Sequence, residues 1–248
     1  MYISIKFVQQ KLLLFLVTLL LANTIQADDN YDKLRRHMIN TINQIAWETQ
    51  IETGKATLDK KIMEVMAKVP RHEFVPEKQR PYAYDNRPLP VGYGQTISQP
   101  YIVALMTDIL EVDSNDVVLE IGTGSGYQAA ILAELVKHVY TIEIIKELGK
   151  SAQDTLAKLN YDNVKVKIGD GYYGWAEYAP FDGIIVTAAP SEIPPLLINQ
   201  LKPGGRMIIP VGEYLWVQSL TLIEKDEQGE TTSRKILPVA FVPFTGEH

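Results

Sequence analysis

Cysteine is absent from the 248 residues. Disulfides, thiolate metal sites, iron–sulfur clusters and cysteine nucleophiles are therefore excluded. Histidine is scarce as well. The four that occur, at 37, 72, 138 and 248, lie far apart, so no metal-ligand motif is readable and no metal is expected. A basic excess is also missing: 24 Lys and Arg face 30 Asp and Glu, a net charge of −6. Discounting Lys6 and Lys11 in the leader described below leaves 22 bases against 30 acids, or −8. A non-specific nucleic-acid binder should be basic, so no nucleic-acid partner is expected. Internal repeats and low-complexity tracts are lacking, and 46% hydrophobic with 22% charged residues excludes a disordered, collagen-like or coiled-coil chain.

No comfortable transmembrane helix is readable at the start of the chain. Residues 12–22 form an apolar run of 11 residues, broken only by Thr18, where a span needs about 20. The run follows two lysines and precedes a stretch ending in Ala27, before Asp28 and Asp29. That is the layout of a secretory signal peptide. We therefore expect a leader over 1–27, export to the periplasm, and no stable membrane anchor after cleavage. An uncleaved interfacial start is the other reading of the run, with a cytoplasmic location. The remaining 28–248 has the size of one domain, and a monomer is expected.

Apolar spacing at Leu34, Met38, Ile42, Ile45 and Ile51 predicts a helix from residue 31, and Thr57 to Lys60 opens a second that ends before Pro70. Six prolines and four aromatics fall between 70 and 100, which predicts mostly irregular chain. An ordered loop of that length is usually functional; a disordered linker is the alternative. A helix should follow to about 110. Beyond it, strands are expected at 116–121, 139–144, 164–168, 181–187, 206–211, 216–224 and 236–243, with helices at 126–136, 146–159 and 194–201. Pro203, Gly204 and Gly205 should turn the chain before the fifth strand. The class is α/β: a Rossmann-like, doubly wound, mostly parallel sheet of about seven strands, with helices on both faces and an N-terminal helical and loop extension. The expected division is 28–111 for the helical and loop region and 112–248 for the cofactor core.

Gly122, Gly124 and Gly126 stand at alternate positions between the first strand and its helix, where a backbone free of side chains lets a ligand approach a helix N-terminus. Glu143 closes the second strand, 21 residues after Gly122, where an acid accepts from ribose hydroxyls. The spacing departs from the dinucleotide pattern and has no Lys-Ser/Thr for a nucleoside triphosphate. With Glu120 before it, the stretch through Thr123, Ser125 and Tyr127 resembles motif I of the class I S-adenosylmethionine-dependent methyltransferases. The resemblance implies S-adenosylmethionine as methyl donor, held at Glu120, Gly122, Thr123, Gly124, Ser125, Gly126 and Glu143. Asp170 and Gly171 sit where the same family places an acid near the adenine; read alone, they are a turn signal.

Three further stretches narrow the family. Residues Val69-Pro70-Arg71-His72-Glu73-Phe74-Val75-Pro76, Ala83-Tyr84-Asp85-Asn86 and Leu89 to Pro100, above all its Thr96-Ile97-Ser98-Gln99-Pro100 end, closely resemble the protein-L-isoaspartate O-methyltransferase family. Phe181 to Ala189, Leu201 to Arg206 and Phe241-Val242-Pro243 fit in the same order. This resemblance implies methylation of the α-carboxylate of isoaspartyl residues in aged proteins and peptides, followed by collapse to a succinimide. It implies Ser98 as the active-site serine, with Thr96, Ile97, Gln99 and, more weakly, Thr245 bordering the cofactor. Ser98 also reads as an N-cap ahead of Pro100. His72 reads as a structural hydrogen-bonding residue. A carboxylate acceptor is already ionised at neutral pH, with a pKa near ~4, so no general base is required. Competing readings are a methyltransferase for another carboxylate or small molecule, a dehydrogenase, and a peptide-binding module without turnover.

Overall fold

The computed structural model describes residues 31–213 and 217–246. The leader of 1–27 lies outside the described residues, as does the start of the strand expected at 216. Helix α1 covers 31–48 and buries Met38, Ile42 and Ala46, one stripe of an amphipathic face. A short α2 (Gln50–Thr53) ends at Gly54 in the left-handed region. Helix α3 (Lys60–Lys68) is capped by Asp59, whose carboxylate accepts from the Lys61 and Ile62 amides.

The segment 70–99 is more regular than its prolines predict. Two 3-10 turns, Arg71–Phe74 and Glu77–Tyr82, lead into a hairpin of β1 (Leu89–Gly92) and β2 (Gln95–Ile97). Its two loop residues, Tyr93 and Gly94, both have positive φ, as a tight hairpin turn requires. Proline is tolerated because β1 and β2 form a separate two-stranded sheet, where Pro90 interrupts no central ladder. Helix α4 (Pro100–Leu110) follows and is buried at ten of its eleven positions.

Seven strands form the main sheet: β3 (Val117–Ile121), β4 (His138–Glu143), β5 (Val164–Ile168), β6 (Phe181–Val186), β7 (Leu201–Val211), β8 (Gln218–Lys225) and β9 (Thr231–Val239). Their order is β5-β4-β3-β6-β7-β8-β9, parallel through β7 and antiparallel for β8 and β9. Helices α5 (Tyr127–Ala133), α6 (Lys146–Lys158) and α7 (Pro195–Asn199) connect the parallel strands. Alternate residues feed two cores, Val118 one and Leu119 the other, so both faces of the sheet are covered. The core containing Val118 also holds Met38, Phe74 and Leu105, and so runs across the 111/112 division. Because β4 and β6 lie on either side of β3, the strand order reverses there and opens a crevice at the carboxyl ends of these strands.

Two expectations are corrected. Pro203-Gly204-Gly205 does not precede the fifth strand; it lies inside β7 as a bulge, since Phe181 pairs with Leu201 and Gly183 already pairs with Arg206. The final strands are also displaced, because Asp226 closes the turn early by accepting from the Gln228 and Glu230 amides. Residues 241–243 therefore fall beyond β9, although Pro243 bridges Ala189.

Candidate active site

The turn after β3 is shaped by its glycines and its threonines. Gly122 and Thr123 donate to the Ile142 carbonyl of β4, and Thr187 Oγ1, just past β6, donates to the Gly122 carbonyl at 2.6 Å. Gly124 has φ +52° and lines the cleft described below, and a Cβ built on it would meet nothing within 4 Å. Gly126 has a different reason to be glycine. Its Cβ would sit 3.3 Å from both Ala152 and Leu156 of α6, so its absence lets α5 pack closely on α6.

Two acids hold this turn from the strands beneath it. Glu143 accepts from the Gly124 amide at 2.7 Å through Oε2 and from the Ile145 amide at 2.9 Å through Oε1. Each oxygen keeps a second lone pair for a ligand hydroxyl. Glu120 is fully buried. Its Oε2 accepts from the Thr141 hydroxyl, which in turn meets the Thr123 hydroxyl at 2.6 Å, while Oε1 has no partner. Burial pushes the Glu120 carboxyl up to about 8; the Thr141 hydrogen bond opposes the shift and the nearby Glu143 adds to it.

These groups open onto a cleft of about 790 Å³. Of the residues expected to hold cofactor, Thr96, Ile97, Glu120, Gly122, Thr123, Gly124, Ser125, Glu143, Gly171 and Thr245 line it, and so does Ser98. Gly126, Asp170 and Gln99 do not. Gly126 occupies the N-cap position of α5, and Asp170 caps the 3-10 turn Gly171–Tyr173 by accepting from the Tyr172 amide at 2.9 Å. Gln99 lines an adjoining groove of about 1240 Å³ instead. Thr96, Ser98, Thr187 and Val242 border both spaces, so Ser98 stands where the cleft meets the groove. The groove walls are largely apolar, from Ile45, Tyr101, Ile102, Leu237 and Phe241.

Ser98 is not the cap of α4. Gln99 takes the N-cap position without a side-chain bond, and Asn86 Oδ1, from the preceding loop, accepts from the Tyr101 amide at 3.0 Å. The Ser98 carbonyl accepts from Arg71 Nη2 at 2.7 Å. His72 has the structural role expected of it: Nδ1 lies 2.8 Å from the Tyr84 hydroxyl and the ring stacks on Tyr31 at 3.8 Å. Gln128, Thr187 and the Ile144-Ile145 pair also line the cleft and escaped the sequence reading. For Thr187 a signal existed, since it follows the strand that flanks β3 at the reversal of strand order.

Among the described residues, the acids Glu120 and Glu143 are the only ionisable acidic or basic side chains besides Tyr127 that line the cleft, and no carboxylate or basic side chain lines the groove; with Glu120 raised to about 8, the negative charge at neutral pH rests on Glu143. A cleft so lined favours a cationic ligand and gives the pyrophosphate of a nicotinamide dinucleotide no cationic side chain to meet. The orphaned Glu120 oxygen and the open space beyond Gly124 fit a sulfonium-bearing nucleoside. Among the described residues, no group of three or more His, Asp or Glu is placed to hold a metal ion, and no helix is long and apolar enough to cross a membrane.

A family model described as "Protein-L-isoaspartate(D-aspartate) O-methyltransferase" matches residues 43–248. The chain is 62% identical to "Protein-L-isoaspartate O-methyltransferase 2" of Syntrophobacter fumaroxidans, across 94% of this chain and 97% of that one. It is 58% identical to "Protein-L-isoaspartate O-methyltransferase 1" of Cupriavidus necator, across 90% and 86%. Among solved structures it resembles a protein-L-isoaspartate O-methyltransferase with a TM-score of 0.75 at 28% identity, spanning 86% of this chain and 66% of that one. A Plasmodium falciparum structure, described as a putative member in complex with S-adenosyl-L-homocysteine, shares the fold with a TM-score of 0.68 at 23% identity, across 87% of this chain and 98% of that one.

Proposed function

The chain belongs to the protein-L-isoaspartate(D-aspartate) O-methyltransferase family, and from that premise we propose how its cleft and groove divide the work. The activity is transfer of a methyl group from S-adenosylmethionine to the carboxylate of isoaspartyl residues in damaged proteins. The cleft holds the donor: Glu143 accepts from its ribose, the turn from Gly122 to Gly126 borders its methionine portion, Glu120 presents its unpaired Oε1 beneath that turn, and Gly171 borders its adenine, with Asp170 behind it holding the turn. The donor supplies an electrophilic methyl group on a sulfonium. The groove holds the acceptor polypeptide, with the isoaspartyl α-carboxylate at Ser98.

The observation that carries this reading is the place of Ser98 at the one edge shared by cleft and groove. A carboxylate bound there reaches into the donor space while its polypeptide stays outside. The Ser98 hydroxyl donates a hydrogen bond and orients the carboxylate; it does not attack. No proton leaves the acceptor, because the carboxylate arrives ionised; its oxygen takes the methyl group as the bond from methyl to sulfur breaks, and S-adenosylhomocysteine leaves as a neutral thioether. Alignment and exclusion of water then supply most of the rate. The apolar groove walls serve the second need. The product ester carries a methoxy leaving group that the carboxylate lacks, so the neighbouring amide nitrogen attacks the ester carbonyl, releases methanol and closes a succinimide that can reopen to aspartate.

Labelled methyl transfer to an isoaspartyl peptide beside its aspartyl twin tests the assignment. Transfer to the first alone is expected. Equal transfer to both, or to neither, overturns it. We propose in addition that the leader directs the enzyme out of the cytoplasm, that no stable anchor remains after cleavage, and that it acts as a monomer.

A further inference from the structure

Arg71 is completely buried, yet among the described residues no carboxylate pairs with it. Its Nε donates to the Ala83 carbonyl and its Nη2 to the Ser98 carbonyl, both at 2.7 Å. Its guanidinium carbon lies 4.8 Å from the centre of the Tyr127 ring. Tyr127 lines the donor cleft as the first residue of α5. One planar group thus touches the loop at Ala83, the acceptor edge at Ser98 and the donor wall at Tyr127. Burial lowers the guanidinium to about 10, which leaves it charged at neutral pH.

Ser98 needs such a hold. It follows a strand of three residues and precedes the N-cap position of α4, so neither element fixes it from within. We propose that Arg71 is a positioning residue for methyl transfer, setting the place of Ser98 against the donor wall through this three-way contact. An arginine is required because two donors on one rigid plane reach two carbonyls while the face of that plane lies over an aromatic ring. Lysine keeps the charge but offers a point donor with no plane. The consequence falls on alignment, which governs the rate of transfer more than the binding of either partner. The inference rests on the reading of Ser98 as the residue that meets the acceptor.

The test is a double-mutant cycle on the full-length enzyme with R71K, S98A and both together. It reads kcat and KM for an isoaspartyl peptide, S-adenosylhomocysteine affinity by calorimetry, and Tm. R71K is expected to lower kcat at least tenfold, with KM and S-adenosylhomocysteine affinity within about threefold of the parent. In the S98A background the same substitution should change kcat less than about threefold, because the hydroxyl it positions is gone. Equal losses in both backgrounds overturn the proposal. So does a rise in KM alone, or a fall in cofactor affinity that tracks kcat and Tm. Full activity in S98A is a separate result and overturns the Ser98 reading. If R71K does not fold, R71Q takes its place, and if neither folds, Arg71 is a folding residue and the proposal fails.

Discussion

Glu120 gives the free protein a pH dependence whose sign and size follow from its surroundings. Its carboxyl has an ordinary value of 4.5 and stands near 8 when folded, because burial leaves Oε1 without a partner. Below about pH 4.5 both folded and unfolded states hold the proton, and the group does not discriminate between them. As pH rises, the unfolded carboxyl ionises first, so the unfolded state is favoured progressively until the folded group ionises near pH 8. At 1.36 kcal/mol per unit, the folded state loses about 3 kcal/mol from this group between pH 5 and pH 8. Glu120→Gln removes the titration. The amide also disturbs the Thr141 hydrogen bond, but that offset does not depend on pH. The assay is urea unfolding of both proteins without ligand at pH 5, 6.5 and 8, read as the difference between them. The variant should gain on the parent by about 3 kcal/mol across that range. A difference that stays flat within about 0.5 kcal/mol would refute the placement of a buried, unpaired carboxyl at the foot of the cleft.

Gly124→Val should weaken S-adenosylhomocysteine binding at least tenfold by calorimetry, because its side chain would enter the cleft from a residue with φ +52°, where a β-branched residue is also strained. Glu143→Ala should cost about 1 to 3 kcal/mol of the same affinity, and it should lower Tm too, since the Gly124 and Ile145 amides lose their acceptor. Asn86→Ala should destabilise the protein by about 1 kcal/mol in denaturant unfolding, the usual loss for a helix cap, because Asn86 receives the Tyr101 amide. Cell fractionation with mass spectrometry of the mature N-terminus should find an exported chain that starts near residue 28; a cytosolic chain retaining 1–27 would reverse the proposal on location.

The central sheet was legible because parallel strands buried on both faces must be apolar runs, and glycines mark the turns between them and their helices. Val164–Ile168 is read to the residue. Long-range pairings left less trace. Nothing near Asn86 announces that it caps a helix 15 residues away, and a short-range signal, Ser98 before Pro100, pointed to the wrong cap. The 89–97 hairpin was hidden because prolines argue against a strand unless an edge position admits them. The bulge in β7 was hidden because Pro-Gly-Gly reads as a chain reversal, while the three residues 203–205 are simply extruded between two paired positions.

Arg71 shows the sharper limit. A charged residue in a proline-rich stretch reads as solvated, and charged side chains are rarely buried without a charged partner. Here two carbonyls and an aromatic face replace part of the water that the guanidinium gives up, and Nη1 keeps no hydrogen-bond partner. A cation buried against neutral partners is costly to place and therefore specific in its placement. The sheet alone accounts for a donor crevice at the strand reversal. It does not account for an acceptor edge, which comes from the hairpin and loop of 70–99. Those two parts share no strand pairing. Their mutual position at the reacting centre depends on packing contacts that cross between them, and the contact between Arg71, Ser98 and Tyr127 touches both walls.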